Sequence, residues 1–129
     1  CECIIVPTSL SWADLRPTIE FIREMDERKE NNVAITPHLI IVPNRIPPRQ
    51  RDLSKLSENL EGLNVVLAPP LSDLSLVRQM SFNFQGLKEA EGTRFYNEFI
   101  RLGDFITDYV LSSKLSAIFQ DELEDSKRF

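Results

Sequence analysis

Asn44 and Arg45 stand directly after the apolar run Leu39-Ile40-Ile41-Val42-Pro43. A side-chain amide in that place offers an acceptor and donors together, the pattern that reads the edge of a purine. The competing reading of Asn44 is conformational, because asparagine tolerates a left-handed backbone and turns loops. Spacing alone leaves both open. Arg45, Arg49, Arg51 and Lys55 then face one carboxylate, Asp52, in a chain whose net charge is −5. Such a basic loop suits contact with phosphates, and it equally suits a solvated turn around Pro47-Pro48. Arg78, with Phe82 and Phe84 nearby in sequence, reads either as a partner contact or as an ion-paired surface arginine.

Other chemistries find no support. The glycines Gly62, Gly86, Gly92 and Gly103 are scattered, so neither the dinucleotide fingerprint nor a phosphate-cradling loop is present. Thr8, Ser9 and Ser11 precede a helical stretch and read as caps. His38 is the sole histidine, and no serine or cysteine nucleophile with an orienting acid pairs with it by order along the chain. Cys1 and Cys3, two apart, would point to one face of a strand, where strain opposes a disulfide. With no further cysteine they form no metal site, and they indicate a reducing, cytoplasmic compartment. Glu122 and Glu124 read as solvated carboxylates. No catalytic residue and no metal ligand is assigned.

The elements that must position Asn44 follow from the apolar pattern. Ile4-Ile5-Val6-Pro7, Leu39 to Pro43 and Val65-Val66-Leu67-Ala68-Pro69 are continuous β-branched runs, the mark of parallel strands buried on both faces. A proline after each run is expected to stop the ladder. Leu15, Ile19, Ile22 and Met25 predict an amphipathic helix from about Ser11 to Glu30. Its start reads best with a cap at Asp14, which places Pro17 in the first turn, and Trp12 is expected to pack there. Asp52 is placed to cap a short helix carrying Leu53, Leu56 and Leu60, which Gly62 ends. A loop or short helix around Ser72 to Phe82 follows, with breaks at Gly86 and Gly92. Phe95, Phe99, Leu102, Ile106 and Tyr109 predict a long helix from about Thr93 to Phe119.

Strand alternating with helix gives an α/β fold of parallel βα units. The 129 residues form one domain over positions 1–120, with a polar, acidic tail over 121–129 expected to fray. The longest apolar run falls far short of the ~20 residues that a membrane-spanning helix needs. Asp121, Glu122, Glu124 and Asp125 outweigh Lys127 and Arg128 in the tail, which disfavours an anionic bilayer. The acidic balance argues against a dedicated nucleic-acid binder, so any DNA contact must come from a local patch. The chain opens at Cys1, almost inside a strand, and is expected to be a fragment of a longer protein.

Ile4-Ile5-Val6-Pro7-Thr8-Ser9-Leu10-Ser11-Trp12-Ala13-Asp14-Leu15 resembles the strand-to-helix passage of ParA/MinD-type ATPases. Val42-Pro43-Asn44-Arg45 is similar to that family's strand ending in Asn-Arg. Val65 to Pro70, then Arg78, Phe82 and Gly86-Leu87-Lys88-Glu89, resembles the passage before its terminal helix. The matched order covers about residues 3 to 112.

The resemblance implies a P-loop NTPase-like fold that lacks its N-terminal P-loop strand, the C-terminal half of an ATPase for plasmid or chromosome partition. By analogy Asn44 and Arg45 face the adenine of ATP or ADP, and Pro69, Pro70 and Leu71 close the other side. Arg49, Arg51 and Arg78 are the corresponding candidates for dimer or nonspecific DNA contacts. The Lys-Gly-Gly loop and Mg²⁺-linked aspartates of the family precede the matched region, and this sequence has none of them. ATP hydrolysis by this chain alone is therefore not expected, since those parts position the γ-phosphate and neutralise its charge. The acidic tail favours the ParA branch over the MinD branch with its basic membrane helix. Three parallel strands without the P-loop strand would leave an edge and an apolar face uncovered. The expected cover is the N-terminal half of the same ATPase, another chain supplying it, or self-association, with a homodimer expected for the complete protein. The competing reading is a non-catalytic α/β module that binds a protein partner through that edge.

Overall fold

The computed structural model describes residues 3–30, 37–50 and 52–127. Three strands, β1 (Cys3–Thr8), β2 (His38–Pro43) and β3 (Val66–Leu67), form one parallel sheet in the order β1-β2-β3. Helix α1 (Trp12–Glu30) connects β1 to β2, and α2 (Ser54–Asn59) connects β2 to β3. Helix α3 (Ser75–Phe82), a 3₁₀ turn over Leu87–Ala90 and the long α4 (Arg94–Lys127) complete the chain. The α/β class and the parallel βα order agree with the sequence pattern.

Strand β2 is central, and Leu39, Ile40, Ile41 and Val42 are all buried, as a strand covered on both faces requires. On one face Leu39 and Ile41 pack with Leu15, Ile19 and Ile22 of α1 and with Leu56 and Leu60 around α2. On the other, Ile40, Val42 and Ala68 pack with Leu102, and Phe105, Ile106 and Tyr109 of α4 lie against them. The sheet is thus sandwiched between α1 with α2 and α4. The cover is unequal: Ile5 in β1 is 49% exposed, and Phe99, expected in the α4 stripe, is 42% exposed. Strand β1 is an edge, and the continuous apolar run there is buried on one face only.

Several local expectations need correction. Strand β2 ends at Pro43 as expected, whereas β1 runs through Pro7 to Thr8, so Pro7 does not stop its strand. The carbonyl of Thr8 faces β2, where it accepts from Asn44 N at 2.8 Å, so the neighbouring Pro7 nitrogen faces outward, where a missing N–H costs no ladder bond. Pro43 turns toward β3, which has already ended at Leu67. Helix α1 starts at Trp12, with Leu15 N donating to Ser11 O at 2.9 Å, and Pro17 lies inside it rather than in a first turn after Asp14. The Asp14 carboxylate is held outside a capping role, accepting from Ser9 Oγ at 2.5 Å. Trp12 is 60% exposed and does not pack at the start of the helix.

Leu53 is the N-cap residue of α2, yet Asp52 Oδ1 still accepts Ser54 N at 2.9 Å, so the expected carboxylate meets the helix one position early. Gly62 ends the segment with φ +80°, a conformation that needs glycine. Helix α4 begins where expected, with Thr93 Oγ1 accepting Tyr96 N, and it continues to Lys127, past the end expected near Phe119.

The face holding α1 rests on Ile22 and Ile41, both fully enclosed. Truncating Ile41 to alanine should therefore cost about 2–5 kcal/mol of unfolding free energy in urea titrations. A loss under about 1 kcal/mol would show that the α1 face is not packed as described.

Candidate functional site at the carboxyl ends of the strands

Ligands of open parallel sheets gather beyond the carboxyl ends of the strands. Here a backbone zipper joins the three loops at that end. Asn44 N donates to Thr8 O, Leu71 N to Pro43 O at 2.8 Å, Ile46 N to Leu71 O at 3.1 Å and Asp73 N to Ile46 O at 2.7 Å. Ile46 and Ser72 form a parallel bridge outside the named strands. The zipper holds Asn44 in register with the end of β1 and pins the loop after β3 beside it.

Asn44 and Arg45 border a cavity of about 310 Å³ with Thr8, Ser9, Asp14 and Pro17. Arg45 also borders an adjoining space of about 420 Å³ with Ser11, Pro47 and Asp73. Arg45, not Asn44, takes the left-handed backbone, at φ +57°. The conformational reading of Asn44 therefore loses its premise, and an arginine holds a conformation that non-glycine residues occupy sparingly. The turn aims Arg45 along the rim between the two spaces. Thr8 is buried and its hydroxyl donates to Ser9 O, and the Asn44 amide and Ser9 are half-buried polar groups at this rim.

The other sequence-assigned residues divide. Leu71 joins Asn44's loop through its backbone, whereas Pro70 borders a different groove, between the loop after β2 and α4. Arg78 is exposed and its Nη2 donates to Asp73 Oδ1 at 2.8 Å, which is the ion-paired alternative. That contact lowers the Asp73 pKa below the ordinary carboxylate range, with Arg45 adding a weaker pull in the same direction. Arg49 is exposed, and Arg51 lies outside the described residues, as does Cys1. Among the described residues no group of His, Cys, Asp and Glu is placed to hold a metal ion. His38 sits at the opposite end of the sheet with its Nδ1 3.1 Å from Tyr109 Oη, a structural pairing across to α4. The rim presents an amide, a guanidinium and hydroxyls, with the Ser9 hydroxyl donating to the Asp14 carboxylate beside them.

Sequence reasoning missed the polar clamp that fixes α4 to this end. Glu98 Oε1 accepts Ser72 N at 3.0 Å, and Glu98 Oε2 accepts Ser72 Oγ at 2.7 Å. Arg94 Nη2 donates to Pro48 O at 3.0 Å and to Ser72 Oγ at 3.1 Å. The available signal was the Arg94/Glu98 spacing of four on one helix face, which names neither Ser72 nor Pro48 as the partner.

Among the described residues no helix is long and apolar enough to cross a membrane. The Asp73 contact gives a direct check. Asp73 should titrate by NMR below the ordinary carboxylate range, and Arg78→Gln should move it back upward. Because the folded-state pKa is lowered, the contact's stabilisation is present above the unfolded-state pKa and is lost as pH falls through the folded one. An unmoved Asp73 titration in Arg78→Gln would contradict the pairing. Comparison with protein-family models, with curated proteins and with solved structures finds no match, so the functional reading stands on this geometry and on the sequence resemblance.

Proposed function

We propose that this chain is the C-terminal half of a ParA-like partition ATPase, contributing the adenine side of the nucleotide site while another segment supplies the phosphate-binding loop. The observation that carries the reading is the position of Asn44-Arg45. They lie at the carboxyl end of the middle parallel strand, with Asn44 tied to Thr8, and border a cavity that the end of β1 also lines. An adenine edge fits there, since the Asn44 amide presents the complementary acceptor and donors. Among the described residues no lysine borders the Asn44 cavity, so holding the triphosphate and its Mg²⁺ falls to the other segment. When bound, ATP with Mg²⁺ would supply the phosphoryl chemistry, and the role of these residues is to orient the base. The open edge of β1 supports the same reading, because a further parallel strand would pair it.

In this reading the complete protein is a cytoplasmic homodimer, and its nonspecific DNA contacts come from the basic loop at Arg49 and Arg51. Arg78 is the weaker candidate for such a contact, since Asp73 already engages it. The exposed β1 edge also favours a second reading, a non-catalytic module that takes a protein partner's strand. The two readings differ in whether Asn44 meets nucleotide.

In the complete gene product, Asn44→Ala should weaken MgADP binding by about 1–3 kcal/mol in calorimetric titrations while leaving thermal unfolding unchanged. Equal affinities for wild type and variant would remove Asn44 from the site, and absence of adenine-nucleotide binding in the wild type would leave the second reading.

A further inference from the structure

The groove between the loop after β2 and the first turns of α4 is open to solvent and spans about 540 Å³, a volume within the ordinary range for small-molecule sites. Its apolar side is built from Ile46, which is 2% exposed, with Leu53 and Pro70 half-buried. The α4 side carries Arg94, Asn97, Glu98 and Arg101, spaced three, four and seven residues from the first and so aligned along one helix face. Two of these four are committed to the fold. Glu98 is covered by both donors of Ser72, and Arg94 spans Pro48 O and Ser72 Oγ. The other two are not. Neither the Arg101 guanidinium nor the Asn97 side-chain amide makes a hydrogen bond or ion pair with any described residue, although both border the groove. With Arg94 and Glu98 offsetting each other, Arg101 leaves the groove with a positive balance in a chain of net charge −5.

We propose that this groove is a binding site for a small organic anion, an oxyanion carried on a flat apolar body. The oxyanion takes the Arg101 guanidinium and the Asn97 amide, and the body lies against Ile46, Leu53 and Pro70. A guanidinium presents paired N–H donors that match carboxylate and phosphate alike, so both share the required chemistry. The apolar floor selects against the bare ion. The site is separate from the Asn44 cavity and does not depend on adenine binding there.

The test is an NMR titration of the amide-labelled complete gene product with benzoate, phenyl phosphate, inorganic phosphate and phenol. At least one of benzoate and phenyl phosphate should saturate with a dissociation constant on the order of 1 mM or tighter, in line with what so few ligand atoms can contribute. Shifts should centre on residues 46–50, 70–72 and 94–101, and preference between the two distinguishes a carboxylate from a phosphate ligand. Inorganic phosphate and phenol should each bind about tenfold more weakly or less, and Arg101→Gln should weaken the organic anion about tenfold. Because Arg101 is exposed and holds no other group, Arg101→Gln should keep the wild-type unfolding temperature. Absence of saturable shifts with both organic anions would overturn the proposal. So would unchanged affinity in Arg101→Gln, or shifts centred on Asn44 and Arg45 instead. MgADP binding in the complete gene product is read separately, so either claim can fail alone.

Discussion

The arrangement depends on the backbone zipper at the carboxyl end of the sheet. Strand β3 is only Val66–Leu67, too short to hold its loop by ladder bonds alone. The continuation comes from Leu71, which donates to Pro43 and accepts from Ile46, and from Asp73, which donates to Ile46. Those bonds extend the parallel pairing past the last regular strand residue and bury Ile46 beneath it. Backbone groups in such a place are costly unless paired, so the zipper also decides which loop conformations are open to Asn44, Arg45 and Pro70. The Glu98 and Arg94 contacts to Ser72 then carry that order to α4. Both the Asn44 cavity and the groove beside Arg101 are built against this seam.

The other end of the argument is the β1 edge. Parallel sheets occur with both faces covered and gain little from an exposed edge. Helix α4 covers β2 and β3 through Leu102, Phe105 and Ile106, and it leaves Ile5 half-exposed. Pro7 fits this position, since its nitrogen faces away from β2. An added strand would find a carbonyl there without a donor, so Pro7 restricts how far pairing can extend along the edge.

The sequence made the strands, their parallel order and the two-faced burial of β2 readable, because Leu39 to Val42 is apolar without alternation and the helical stripes recur at three and four. It could not show that β1 lacks cover on one face, since Ile5 looks like Ile40 in composition and differs only in what α4 reaches. Proline misled at Pro7 because the cost of a missing N–H depends on which side of the strand it faces, a fact of register. A left-handed backbone at Asn44 was one of two open readings, and the left-handed residue is Arg45, one position on, beside the Ile46 bond to Leu71. Asn44 and Arg45 themselves were legible from their place after a buried strand. Arg101 and Asn97 were not, because their groove is closed by a loop more than forty residues away in sequence.

The central claim is that this chain supplies one side of a nucleotide site whose phosphate-binding part lies elsewhere in the same protein. The most direct measurement is the intact mass of the native protein together with the coding sequence upstream of Cys1. The account predicts a continuous reading frame that encodes a strand followed by a Lys-Gly-Gly loop, and a native mass that includes it. A native start near Cys1, with a mass equal to this chain alone, would contradict it and turn attention to a partner that covers β1.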